Sequence, residues 1–228
     1  MSVVISTFTS NNKLEKLVLS VFRGEFGHLI DKLISRWEVL HSASLCEKRK
    51  TEFLRGRCAS KSALAEFSSN CEVKDISITH GTLGEPIVTD ESFGVSISHS
   101  ENIAVALAFK KMFSFGIDVE RVNEKFTKAL HRVTDVAKEQ VPDNIADLTV
   151  AWALKEALSK CLKTGFTIAF DNFAFSEFRK VDGIFNCKFT KYSNFLGRAI
   201  LKHNTVLAIV GERQSMSEID MIKFYNSL

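Results

Sequence analysis

The sequence predicts an α+β fold built as two similar lobes of about 110 residues each. Three observations carry that prediction. Helix-forming and strand-forming segments follow one another twice along the chain. Each half ends in a very apolar strand, at 103–109 and 205–210. Only Pro86 and Pro142 interrupt the 228 residues, and no Ser/Gly-rich or low-complexity linker separates the halves, so the lobes are closely joined rather than tethered. We take 1–114 as the first lobe and 115–228 as the second.

Residues 47–67 have high helix propensity, with apolar residues at Phe53, Leu54, Cys58, Ala59, Ala63 and Leu64. A short strand follows at 75–79, a turn at 81–86 and a second strand at 95–98. The run 103–109 is continuously apolar, as in a strand covered on both faces. Another strand is expected at 115–120. Residues 122–147 are polar and mixed, helical in pieces, with a turn at Pro142-Asp143-Asn144. A helix over 148–163 ends near Gly165. Recurring phenylalanines from Thr167 onward, with turns at Asp171-Asn172 and Asp182-Gly183, indicate antiparallel strands. The strand 205–210 is followed by a terminal helix at 216–224.

The 45% hydrophobic content and 19 phenylalanines supply a sizeable core. A net charge of +3 and a pI near 8.5 admit an anionic substrate or an acidic partner, but fall short of the basic face of a nucleic-acid binder. Residues 1–8 lack a secretory-signal pattern, and no apolar stretch approaches the roughly 18 residues that span a bilayer. Cys46, Cys58, Cys71, Cys161 and Cys187 are odd in number and never spaced Cys-x-x-Cys, which reads as reduced thiols. A cytoplasmic protein with no membrane attachment is expected.

Phe115-Gly116-Ile117-Asp118-Val119-Glu120 is the most informative segment. Residues two apart in a strand share a face, so Asp118 and Glu120 point the same way. Adjacent carboxylates repel unless a cation sits between them, and Mg²⁺ takes one or two carboxylates with substrate phosphates completing its shell. A solvated strand end followed by Arg121 would also accommodate the pair. On the next helix Trp152, Glu156 and Lys160 share one face at i, i+4 and i+8. Such a Glu can complete a metal's shell and such a Lys can neutralise phosphoryl oxygens, although an ordinary surface Glu–Lys pair has the same spacing.

The first helix carries a stripe of Arg49, Phe53, Arg57 and Lys61. Arg57 and Lys61 are like charges one turn apart, which an anion such as a phosphate monoester would relieve; a solvated basic face is the plainer alternative. Ser96-Ile97-Ser98-His99-Ser100 places a histidine among hydroxyls at a strand end, suited to phosphate or satisfied structurally by a carbonyl. Neither a Gly-rich phosphate loop nor a nucleophile elbow is written in the sequence.

Taken in this order, these segments resemble the two-lobed 4′-phosphopantetheinyl transferases that serve peptide and polyketide synthetases. The resemblance is carried by Arg49-Lys50-Thr51-Glu52-Phe53-Leu54-Arg55-Gly56-Arg57, Gly84-Glu85-Pro86, Ser96-Ile97-Ser98-His99-Ser100, Gly116-Ile117-Asp118-Val119-Glu120, and Trp152 with Lys155-Glu156-Ala157-Leu158-Ser159-Lys160. It covers about 47–165, and the arginine-bearing helix looks most like the siderophore-synthesis branch.

The resemblance implies two similar α/β lobes in a pseudo-two-fold arrangement with the active site in the cleft between them. It implies coenzyme A and Mg²⁺ as ligands and an apo acyl or peptidyl carrier protein as partner; two lobes already supplying a site predict a monomer, and the modest charge predicts no nucleic-acid partner. Asp118, Glu120 and Glu156 would hold Mg²⁺, Glu156 or a water it orients would take the serine proton, and Lys160 would stabilise phosphoryl charge with Lys155 in support. Arg49, Arg57, Lys61, Ser98 and His99 would bind the adenine and 3′-phosphate end.

Many relatives have Lys in the Gly-x-Pro turn where this chain has Glu85, which moves phosphate binding onto Arg57, Lys61 and His99. Phe126, Leu130, Val133 and Val136 are candidates for docking the carrier. A non-catalytic coenzyme A or nucleotide-binding protein of the same fold is the competing reading, but it would not require all three carboxylates with Lys160. A Mg²⁺-dependent nuclease would show a basic stripe with interleaved aromatics, which the sequence lacks.

Overall fold

Each of the two long helices lies on an antiparallel sheet, one in each half of the chain. The structure, a computed structural model, describes residues 4–11, 16–24, 29–67, 72–165 and 167–216 and positions 219, 221 and 224. It divides in sequence between Met112 and Phe113 into two compact units. Cys71 and most of the helix expected at 216–224 lie outside the described residues.

In the first unit β1 (Val4–Asn11) and β2 (Lys16–Arg23) form a hairpin, followed by α1 (Leu29–Leu33), α2 (Arg36–Ala43) and α3 (Glu47–Ala65). Then come β3 (Ile78–His80), β4 (Pro86–Val88), β5 (Phe93–Ser100) and β6 (Ile103–Lys110). The main sheet has the order β1-β2-β6-β5, with β3 and β4 paired apart from it. Ile103 to Phe109 is buried throughout, as its unbroken apolar run requires. The alanines Ala104, Ala106 and Ala108 leave room for α3, which lays Leu54, Cys58, Ala59, Ala63 and Leu64 over them. Each large apolar side chain so buried contributes about 1.5–3 kcal/mol.

The strand expected at 75–79 is shorter and later. A 3₁₀ turn occupies Val73–Asp75, and only Ile78–His80 pairs with β4. The sequence assigns no element before residue 47, where the described residues form two strands and two helices.

The second unit runs through β7 (Phe115–Arg121), α4 (Thr127–Val133), α5 (Val136–Glu139) and α6 (Ile145–Cys161). After them come β8 (Phe175–Val181), β9 (Ile184–Phe189), β10 (Phe195–Lys202), β11 (Thr205–Glu212) and the short α7 (Arg213–Met216). Its sheet has the order β7-β11-β10-β9-β8, antiparallel throughout. Asp182-Gly183 and His203-Asn204 all have positive φ, as two-residue hairpin turns demand.

Helix α6 starts three residues before the expected Leu148, because the Asn144 side chain caps it by accepting the Asp147 N–H. It ends at Cys161, before Gly165, with Lys163 already left-handed at φ 55°. Gly116 fixes how α6 meets β7: a Cβ there would lie 1.9 Å from the Ala157 carbonyl oxygen. Only glycine allows that approach, which brings the polar stripe of α6 to the acidic strand.

Candidate functional site

In the second unit the two periodicities read from sequence interlock. Trp152 Nε1 donates to Glu120 Oε1 at 3.2 Å, and Lys160 Nζ lies 2.6 Å from Asp118 Oδ1. The two ends of the α6 stripe thus touch the two acidic residues of β7, and Glu156 lies between them on the helix. Lys160 also stands 3.9 Å from Glu156 Oε2. Burial pushes the Glu156 carboxyl up to about 8, with the charges of Asp118 and Glu120 adding to the rise and Lys160 opposing it.

Among the described residues no group of three or more His, Cys, Asp or Glu side chains is arranged to hold a metal ion as it stands. The donor chemistry nevertheless suits a hard divalent cation. Asp118, Glu120 and Glu156 offer only oxygen, and the charges of Asp118 and Glu120 add to the burial that raises the Glu156 carboxyl, a repulsion that a cation would relieve. Lys160 and the Trp152 indole supply the countercharge and the donor to these carboxylates.

Lys155, expected beside the phosphates, is committed elsewhere. It is 1% exposed, donates to Glu139 Oε1 at 2.7 Å and to the Val133 carbonyl at 2.6 Å, and lies over the Phe175 ring. Glu139 also accepts the N–H groups of Asp135 and Phe175. This buried pair ties α5 and β8 to α6, and desolvation holds the Lys155 pKa below the ordinary lysine value despite Glu139. One step along a helix turns a side chain by about 100°, so Lys155 leaves the face of Glu156. Of the proposed docking residues, Phe126 is exposed, Leu130 is buried, and Val136 packs against the core.

The first unit holds an open cavity of about 480 Å³. Arg49, Arg57 and His99 line it, together with Gly84 and Pro86 of the Gly-Glu-Pro turn. Ser98 is buried on the opposite face of β5 from Ile97 and His99, which both line the cavity. Glu85 folds its carboxylate over Gly81 and accepts the Leu83 N–H at 3.0 Å, so it stabilises the turn.

The like charges of Arg57 and Lys61 do have an anion, but a protein one. Glu38, 2% exposed, places Oε2 2.6 Å from Lys61 Nζ and Oε1 3.5 Å from Arg57 Nε. Lys61 is fully buried and also donates to the Lys74 carbonyl at 2.9 Å. It is therefore a structural residue behind the cavity wall, contrary to the phosphate contact expected of it. Glu38 closes the capping box of α2 as well, accepting the Ser35 N–H. The Ser-x-x-Glu pattern at 35–38 was the signal that could have located it.

Sequence reasoning also missed an aromatic row beside the cations. Trp37 stacks on His41 at 5.3 Å, His41 meets Phe53 at 5.1 Å, and Phe53 meets His80 at 6.3 Å. The Arg57 guanidinium lies 4.8 Å over the Phe53 ring. Single histidines at 41 and 80 gave no pattern to find them by. The cavity offers flat faces for a base next to cations for a phosphate.

Comparison with known proteins agrees with both units. A family model for the 4′-phosphopantetheinyl transferase N-terminal domain matches 38–109, and one for the 4′-phosphopantetheinyl transferase superfamily matches 114–210. The holo-[acyl-carrier-protein] synthase of Geobacillus sp. (strain WCH70) is 35% identical over 103 residues, covering 41% of this chain and 85% of that protein. The protein of the same name from Lactococcus lactis subsp. lactis (strain IL1403) is 30% identical over 114 residues, covering 46% and 94%. The crystal structure of a holo-(acyl-carrier-protein) synthase from Bacillus anthracis str. Ames in complex with CoA (3′,5′-ADP) is similar at 23% identity with a TM-score of 0.37, covering 41% of this chain and 93% of that one. On these matches, the chain belongs to the 4′-phosphopantetheinyl transferase superfamily.

Proposed function

We propose that this enzyme transfers the 4′-phosphopantetheine group of coenzyme A to a serine of an apo carrier protein, with Mg²⁺ held by Asp118, Glu120 and Glu156. The observation that carries this reading is the meeting of Trp152 and Lys160 with Glu120 and Asp118 around a carboxyl of raised pKa. The bound Mg²⁺ would neutralise pyrophosphate charge. Glu156 accepts the proton of the carrier serine, whose oxygen bonds to the phosphorus next to pantetheine. The phosphorus–oxygen bond to the departing phosphate breaks, and adenosine 3′,5′-bisphosphate leaves. Lys160 offsets charge on the phosphoryl oxygens, and positioning with charge neutralisation supplies most of the rate.

The nucleotide end belongs to the cavity of the first unit, with the 3′-phosphate on Arg57, Arg49 and His99 and the base against the aromatic row. Lys61 and Lys155 support these sites from behind and touch no substrate. Curated relatives are named for acyl carrier protein, whereas the arginine-bearing α3 leads us to a siderophore-type peptidyl carrier. We place the enzyme in the cytoplasm as a monomer. The test is incubation with coenzyme A, Mg²⁺ and a panel of apo acyl and peptidyl carriers, read by intact mass. A gain of one phosphopantetheine, abolished by chelation and in Glu156→Gln, is expected and ranks the carriers; no gain on any carrier would sink the reading.

A further inference from the structure

Arg57 Nη2 lies 3.3 Å from His80 Nε2 across the cavity wall. A guanidinium only donates, so this contact requires a lone pair on Nε2 and places the imidazole hydrogen on Nδ1. Behind Arg57 stands Glu38, and the guanidinium is held between a buried carboxylate and a neutral imidazole at the cavity's edge. A phosphate entering the cavity needs N–H donors, and His80 in this tautomer presents none at Nε2.

We propose that His80 holds Arg57 by accepting its N–H, and that a phosphate monoester displaces it as acceptor, freeing Nε2 to take up a proton and become a second donor. The proposal rests on the reading of this cavity as the nucleotide 3′-phosphate site. It makes phosphate binding a proton-consuming step and gives His80 a role in positioning Arg57 that follows from no motif.

The surroundings favour a neutral imidazole before binding and a charged one after it. His80 faces Arg57 and Phe53 from α3 and His41 from α2. Partial burial, Arg57 and His41 all hold its pKa below the ordinary histidine value. On its own hairpin the charged neighbour is Glu85, whose carboxylate is folded over Gly81. Arg49, Glu52 and His99 line the rest of the cavity, and Glu38 already serves Arg57 and Lys61. A phosphate dianion against Nε2 reverses the balance and raises the His80 pKa.

Calorimetric titration of the whole protein with adenosine 3′,5′-bisphosphate, near pH 7 in buffers of different ionisation enthalpy, tests this. Net proton uptake is expected, with affinity weakening several-fold between pH 6 and 8. The ligand's own phosphate would release protons on binding, the opposite sign. His80→Gln keeps an acceptor for Arg57 without a titrating ring, so it should bind with the uptake lost. Among the six histidine ring signals, the one missing in that variant should titrate at higher pH with ligand than without. Normal binding with an unmoved His80 titration, or uptake undiminished in His80→Gln, overturns the proposal while leaving the nucleotide site intact. No binding at all overturns both.

Discussion

Lys160 Nζ stands 2.6 Å from Asp118 Oδ1 and 3.9 Å from Glu156 Oε2, so one ammonium serves two carboxylates. Burial keeps the Glu156 carboxyl protonated up to about pH 8, and the single positive charge, short of balance once Glu120 is counted, does not offset the neighbouring carboxylates that add to the rise. A divalent cation on these oxygens must expel that proton. Mg²⁺ should therefore bind more tightly as pH rises from 6 to 8.5, with release of nearly one proton at pH 6 that shrinks to a minor fraction by pH 8.5. Calorimetry on Glu156→Gln should show the pH dependence gone and affinity at least about tenfold weaker, with turnover down about 10²–10⁴-fold. An unchanged pH dependence in the variant would remove Glu156 from the ligand set.

The same carboxyl makes a stability prediction without metal. Its folded pKa of about 8 lies above the ordinary glutamate value of 4.5, so the native protein holds a proton that the unfolded chain gives up between those values. Stability from this group is therefore highest at low pH and declines from about pH 4.5 to about pH 8. Glu156→Gln should flatten that decline and gain on the order of 1–3 kcal/mol at pH 8. Denaturant unfolding with chelator at pH 5, 6.5 and 8 measures it; equal slopes in both proteins would contradict the assignment.

What the sequence made legible was what periodicity controls. The two-residue repeat put Asp118 and Glu120 on one face, the four-residue repeat put Trp152, Glu156 and Lys160 on another, and the structure joins the two. The anion demanded by Arg57 and Lys61 is in part Glu38, which reaches α3 from a helix marked in sequence only by its Ser-x-x-Glu cap. Lys155 was misread because adjacency to Glu156 in sequence means a different helical face, and its partner Glu139 comes from α5. His41 and His80 reach the cavity through tertiary packing alone.

The Glu38 group predicts a particular pattern of stability losses. Removing one member of a buried ion group strands the other charges, at a cost of about 3–5 kcal/mol. Glu38→Ala should lose that much, and Glu38→Gln somewhat less because Gln keeps an acceptor. Combining Glu38→Leu with Lys61→Met should recover a good part of the loss, since it removes the fully buried Lys61 charge together with its partner and leaves only Arg57, which borders the cavity. Urea unfolding of the single and double variants measures the coupling; strictly additive losses would mean that Glu38 and Lys61 do not depend on each other.

Gly116 should be the least replaceable glycine near the site. An alanine methyl would sit 1.9 Å from the Ala157 carbonyl oxygen and 2.6 Å from the Cys161 nitrogen. Both are backbone atoms, so relief requires α6 to move off β7, at about 2–4 kcal/mol. The same movement draws Trp152 and Lys160 away from Glu120 and Asp118, so turnover should fall more than the loss of folded protein explains. Gly84 provides the contrast: its φ of +84° strains an alanine, but nothing lies within 4 Å of a Cβ, so Gly84→Ala should cost only about 1 kcal/mol. Thermal unfolding and transfer rate on folded fractions separate the two effects. If Gly116→Ala proved as mild as Gly84→Ala, close packing of α6 on β7 would not be what sets the site.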